Sequence, residues 1–240
     1  LLKVKPRNSR AERVQEMMGR WNRFMLAERP EPLIYNAWLM ELQRGIFEPR
    51  LGDELFQDMR SPRLDVLLRI LRDRPDWCDT PGTTATETCD DAIANALERA
   101  LNGIAQRQGS QIENWQWGRE HRLAYAHPLF DRVPWLRDLA SVRYPAGGGA
   151  NTLNRAEPRY AGRAPFEAVH GATFRGIYDL SDLDNSRFAL PLGQSGNMLS
   201  VYARHFLDRW QKLAYIDIRS NRPEIARTAV GTISLSPPTR

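Results

Sequence analysis

Lysine is almost missing from this 240-residue chain: only Lys3, Lys5 and Lys212 occur, although Lys and Arg together number 34. The formal charge of +5 therefore rests on arginine scattered among acids, as in the run Arg69, Arg72, Asp73 and Arg74. A phosphate-binding surface needs cations clustered in a stripe, ideally with aromatic residues for stacking. The scatter argues against a nucleic-acid partner and reads as a solvated face. Long apolar runs are also lacking. No stretch approaches the ~20 residues that a membrane-spanning helix needs, and the opening LLKVKP breaks before the apolar core of a secretory signal could form. The chain begins at Leu1 rather than Met, which predicts an internal or processed piece of a longer precursor. There is no GxSxG elbow, no HExxH, no P-loop and no dinucleotide fingerprint, and neither an internal repeat nor a low-complexity tract.

Cysteine is scarce too. Cys78 and Cys89 are the only two, with ten residues between them in a loop rich in Pro, Gly and Thr. Such a pair suggests a disulfide pinning a segment with little core of its own, worth roughly 2–4 kcal/mol, and an oxidising compartment. The alternatives are two reduced thiols or half of a metal site. The metal is disfavoured because no His lies nearby to complete a ligand set.

What is present divides the chain. With 42% hydrophobic residues it can bury a sizeable core. Residues 1–144 read as mainly helical. Ser9 with Glu12 resembles a capping box, followed by Val14, Met17, Met18, Trp21, Phe24 and Met25 on one face. Leu33 to Phe47 is apolar nearly all round and predicts a helix buried on several sides. A short helix over 51–59 follows, then one introduced by Ser61 and Pro62 with a stripe of Leu64, Leu67, Leu68 and Leu71. The longest helix is expected from Thr88 to Gln108, ended by Gly109. Residues 145–150, PAGGGA, form the expected linker, and residues 151–240 a β-rich segment with one helix. In that segment Val169, Ala172, Phe174, Ile177 and Tyr178 lie in one β-compatible run. Residues 187–192 form a second, antiparallel to it, and residues 228–235 a last strand. Tyr202, Phe206, Leu207 and Trp210 predict an amphipathic helix.

Candidate chemistry is sparse. Asp90 and Asp91 could be paired carboxylates, but a helix start explains them by the dipole. His121 and His127 are candidates by residue type, yet neither has a Ser, Cys or carboxylate at a fixed spacing, and structural hydrogen bonding beside the aromatic cluster is the simpler reading. Gly193, Gln194, Ser195, Gly196 and Asn197 form a loop whose glycines suggest positive φ or close approach. Its GxSG spacing matches a nucleophile elbow only loosely, so the loop reads as structural. No catalytic, cofactor-binding or metal residue is assigned in this chain.

Several stretches, in order, resemble one family: EPLIYNAWLMEL at 31–42, WCDTPGTTATETCDDA at 77–92, WQWGREHRLAYAHPLF at 115–130, NTLNRA at 151–156, then AVHGATFR and GQSGN with the helix carrying Trp210. This order is similar to the C-terminal part of the β chain of penicillin amidases (penicillin acylases), N-terminal-nucleophile hydrolases. Where that family's helix after GQSGN opens with Pro and His, this chain has Val201 and Tyr202. The resemblance implies an α+β fold, the C-terminal portion of a four-layer αββα hydrolase. It implies cleavage of an acyl amide through an acyl-enzyme on an N-terminal Ser, with an oxyanion Asn and any calcium ligands upstream of this chain. The expected partners are the α chain and the N-terminal part of the β chain, plus a small acyl-amide substrate, in a periplasmic or secreted location. His170 and Arg175 are then polar groups between layers, and the segment alone is expected to be inactive. The alternative is a non-catalytic binding or scaffold chain of the same fold.

Overall fold

In the computed structural model, which describes residues 2–127 and 129–237, the first helix, α1 (Ser9–Arg20), is capped by Asn8. The Asn8 side-chain oxygen accepts from the Ala11 amide at 2.9 Å, so the cap lies one residue before the expected Ser9. Helix α2 (Glu31–Asp58) covers both the predicted buried helix and the short one after it. The join is Gly52, whose φ of 74° only glycine adopts cheaply. Between α2 and α3 (Leu64–Asp73) the buried Gln43 does the capping. Its Oε1 accepts from the Arg63 amide at 2.7 Å and its Nε2 donates to Ser61 O at 2.9 Å. Only part of the predicted α3 stripe faces inward. Leu67 and Ile70 are buried, whereas Leu64 and Leu68 are exposed.

Helix α4 (Cys89–Gln108) begins at Thr88 with a complete capping box: Asp91 N–H donates to Thr88 Oγ1, and Thr88 N–H donates to Asp91 Oδ2. It packs along α2. Leu33, Ile34, Ala37, Trp38 and Leu42 meet Ala96, Leu97, Ala100, Leu101 and Ile104 in one core with Val14 of α1. The Trp38 indole N–H donates to Ile93 O at 2.9 Å, which satisfies the one polar atom of that ring. At the rim Arg99 Nε binds Glu41 Oε2 at 3.1 Å.

After the short helix α5 (Trp117–Glu120) come β1 (Arg122–Tyr125), α6 (Pro134–Ala140), β2 (Val142–Pro145), β3 (Ala156–Pro158) and β4 (Ala168–Gly171). These strands form one sheet in the order β2-β1-β4-β3, with β1 and β4 parallel and the other pairs antiparallel. The Gly-rich stretch expected as a linker lies packed within this unit. Gly148 N–H donates to Met25 O at 2.7 Å, and a Cβ on Gly148 would stand 1.9 Å from Asn154 O. The chain divides instead into one compact unit ending at Gly171 and another starting at Ala172.

That division cuts through the single strand predicted over 169–178. Its first part is β4; its second, β5 (Arg175–Ile177), belongs to a separate sheet with β6 (Arg187–Ala189) and β7 (Ile216–Asp217), in the order β5-β6-β7. The expected antiparallel pairing of β5 and β6 is present, with Gly176 opposite Phe188. The expected amphipathic helix is reduced to α7 (Leu207–Gln211) after a 3-10 turn at Val201–Ala203, and only Trp210 of it is buried. A second helix, α8 (Arg222–Thr228), ends on the first residue of the predicted final strand. Residues 229–237 form no strand, and Val230, Ile233 and Leu235 face solvent, because no neighbouring strand is there to receive the alternation.

Candidate functional site

Each residue with catalytic potential has a definite set of partners. His121 is fully buried, stacked on Trp117 with ring centroids 4.1 Å apart. Its Nδ1 donates to Phe166 O at 2.7 Å, which fixes the proton on that nitrogen, and its buried Nε2 has no partner among the described residues. Burial lowers its pKa to about 4, so the ring is neutral at physiological pH. A general base at pH 7 needs a substrate proton within hydrogen-bond reach, and the closed setting of His121 offers none.

His127, Asp131 and Ser141 bring together the residue types of a nucleophilic triad, but they are wired differently. Ser141 Oγ donates to Asp131 Oδ1 at 2.8 Å and accepts from the His127 amide at 3.1 Å. His127 Nδ1 accepts from the Leu129 and Phe130 amides, each at 3.3 Å. In a working triad the carboxylate orients the imidazole and the imidazole takes the serine proton. Here the carboxylate takes the serine hydrogen bond itself, and Arg143 Nη2 also binds Asp131 at 2.7 Å. With Arg143 first and Ser141 second, these donors hold the Asp131 carboxyl below the usual range. The cluster ties α6 and β2 to the preceding turn.

The 193–197 loop is held by main-chain bonds. Gly193 N–H donates to Ala203 O at 2.8 Å and Ser195 N–H to Tyr202 O at 3.3 Å. Ser195 Oγ accepts from the Asn197 amide at 3.2 Å, and the Asn197 side chain accepts from the Leu199 amide at 3.0 Å. Gln194 faces solvent. Gly193 is a close-approach position, since a Cβ there would lie 1.7 Å from Tyr202 O. Gly196 shows neither positive φ nor a crowded Cβ.

Cys78 and Cys89 form a disulfide with Cα atoms 4.9 Å apart. It fastens a 3-10 turn, Pro75–Cys78, to the first residue of α4. Asp91 binds Arg7 at 3.0 Å beside the Thr88 cap, and these hydrogen bonds lower its pKa. Arg175 is buried, with Nη2 2.6 Å from Trp210 O and its guanidinium carbon 3.7 Å from the Trp210 ring centroid. His170, by contrast, is exposed at its place opposite Glu157. Among the described residues no group of three His, Cys, Asp or Glu is placed to hold a metal ion, and no helix is long and apolar enough to cross a membrane.

The first unit also contains a cleft of about 480 Å³, lined in part by Trp and Met residues whose helical spacing reads as core rather than as a ligand box. Its apolar wall includes Met18, Trp21, Tyr35 and Leu39, and its polar side chains are Arg23, Asn36, Asn151, Thr152 and the Tyr160 hydroxyl. The Tyr160 hydroxyl donates to Asn36 Oδ1 at 2.8 Å, and burial raises its pKa. In sequence its aromatic residues were indistinguishable from core at helical spacing.

The comparisons with known proteins settle the family. The family model for penicillin amidase matches residues 1–227. This chain belongs to the penicillin amidase family. It is 28% identical over 239 residues to the penicillin acylase 2 proenzyme of Pseudomonas sp. (strain SE83), an alignment spanning 95% of this chain and 29% of that protein. To the acyl-homoserine lactone acylase QuiP of Pseudomonas aeruginosa it is 27% identical over 230 residues, 87% of this chain and 27% of that protein. The thermostable penicillin G acylase from Alcaligenes faecalis superposes with a TM-score of 0.57 at 14% identity, over 100% of this chain and 45% of that one. This likeness establishes the α+β fold of the penicillin amidases, the N-terminal-nucleophile hydrolase fold. The chain spans less than a third of the length of these curated relatives. The relatives are acylases, so the family is one of acyl-amide hydrolases.

Proposed function

We propose that these residues form the C-terminal part of the β chain of an acyl-amide hydrolase whose nucleophile lies outside them. The family match over residues 1–227 carries this reading. The wiring of the candidates supports it: His121, His127, Ser141 and Ser195 each take part in structural hydrogen bonds, and no imidazole among them accepts from a serine hydroxyl.

In the proposed reaction a Ser at the processed N-terminus attacks the amide carbonyl. Its proton passes, through water, to its own α-amino group. Backbone N–H groups and an Asn side chain stabilise the oxyanion, the amine leaves with a proton, and water then hydrolyses the acyl-enzyme. The residues described here contribute the packed α2–α4 pair and strands of the fold. Substrates of the kind named for the relatives, a penicillin or an acyl-homoserine lactone, fall within this reaction class. The Cys78–Cys89 disulfide supports a periplasmic or secreted location, and any calcium would be held by residues upstream.

The test is expression from the full-length gene followed by denaturing mass spectrometry and N-terminal sequencing. The expected result is two co-purifying chains, the heavier beginning with Ser and containing these residues. A single chain with no internal cleavage and no amidase activity would overturn the proposal.

A further inference from the structure

We propose that the cleft of the first unit is a binding site for a small monocarboxylate with an aliphatic or aryl body. The apolar end would lie along the wall that includes Met18, Trp21, Tyr35 and Leu39, and the carboxylate would meet Arg23.

Four observations carry this. The cleft volume of about 480 Å³ falls within the range of small-molecule sites, and an apolar wall with a few convergent polar groups is what such sites share. Arg23 is the one ionisable cation among the lining residues, and no acid accompanies it in the lining. Its guanidinium has no ion-pair or hydrogen-bond partner among the described residues, unlike Arg7, Arg10, Arg13 and Arg29 nearby in sequence. A cation left unpaired beside apolar surface is a ready partner for a carboxylate, which guanidinium can bind through two parallel hydrogen bonds.

The fourth observation is that the presenting backbone is fixed in advance. Arg23 has φ of 68° and Tyr160 φ of 52°; they are two of the three non-glycine residues in the left-handed region among the described residues, and both line this cleft. Such conformations persist only where surrounding contacts enforce them. Here the Trp21 indole N–H donates to Phe24 O at 3.1 Å, the Phe24 amide donates to Asn22 Oδ1 at 3.0 Å, and Met25 O receives the Gly148 amide. The turn that carries Arg23 is thereby clipped on both sides. Elsewhere in the lining Tyr160 is held to Asn36, whose Nδ2 donates to Pro32 O at 2.8 Å. A preformed site of this kind loses little freedom on binding.

Calorimetric titration of the full-length protein with octanoate and with octanamide tests the proposal. Octanoate should bind, and at least about tenfold more tightly than the neutral amide, the difference a charge-assisted hydrogen bond supplies. Arg23→Asn keeps a residue that tolerates the left-handed backbone. It should weaken octanoate about tenfold while leaving octanamide within about twofold. Ala150→Trp, which fills the mouth, should abolish binding of both. Absence of octanoate binding, or octanoate binding that Arg23→Asn and Ala150→Trp leave unchanged, would overturn the assignment; the latter would place the ligand elsewhere in the protein.

Discussion

At the scale of single residues the clearest consequences come from what is buried without choice. His121 is neutral in the folded state with a pKa of about 4, against an unfolded value near 6.5. The unfolded chain therefore takes up the proton first as pH falls. The stabilising difference is fully present above about pH 6.5, declines between 6.5 and 4, and changes no further below that. The loss should amount to at most about 3 kcal/mol, measured by urea unfolding at pH 7.5 and 4.5. His121→Phe should flatten that dependence. An imidazole titrating near 6.5 in the folded protein would contradict the burial argument. Glycine supplies a second residue-scale test. Gly193→Ala drives a methyl into Tyr202 O and should destabilise the second unit by more than about 2 kcal/mol, whereas Gly196→Ala, with open space around it, should be nearly neutral. Thermal unfolding of the two variants separates them. Sequence alone suggested both glycines as special; only the approach of the 200–203 segment distinguishes them, and that is a tertiary fact.

At the scale of elements, the long helices of the first unit were legible and most strands were not, the β5–β6 pair being the exception. The limits of α4 followed from Thr88, Asp91 and Gly109, all local signals in the first and last turns. The break at Gly52, by contrast, falls inside the helix expected over 51–59 and had no separate signal. The strand pairs β1–β2 and β3–β4 escaped notice because each strand has three or four residues, too few for alternation to register, and because β1 takes its parallel neighbour from far along the chain. The split of residues 169–178 between two sheets has no local mark at all. The cleft was hidden for a related reason: the spacing of Trp21, Tyr35 and Trp38 says that they are covered, not by what. One element depends on a covalent tie. The Cys78–Cys89 bond spans 11 residues of sequence, and its removal by Cys78→Ser with Cys89→Ser should cost about 3 kcal/mol. Scanning calorimetry with and without reductant measures this; identical transitions would show that the loop holds without its bridge.

At the scale of the whole molecule, the two units are unequal. The first has an extended core of α1, α2 and α4. The second exposes many large apolar side chains, including Leu180, Leu199, Val201 and Tyr202, at 89%, 81%, 78% and 63% of full exposure. Apolar exposure of this extent points to an interaction face, and among the described residues β5 pairs on one side only in its sheet. These 240 residues expressed alone should self-associate, giving a concentration-dependent mass in sedimentation, whereas a monodisperse monomer would contradict that. The central claim is that this chain is a framework around a nucleophile it does not contain. It is tested most directly by labelling the active full-length protein with a serine-reactive phosphonate and mapping the modified peptide. The account predicts a single modified Ser outside these residues, at a processed N-terminus. Modification of Ser141 or Ser195, with loss of activity, would contradict it.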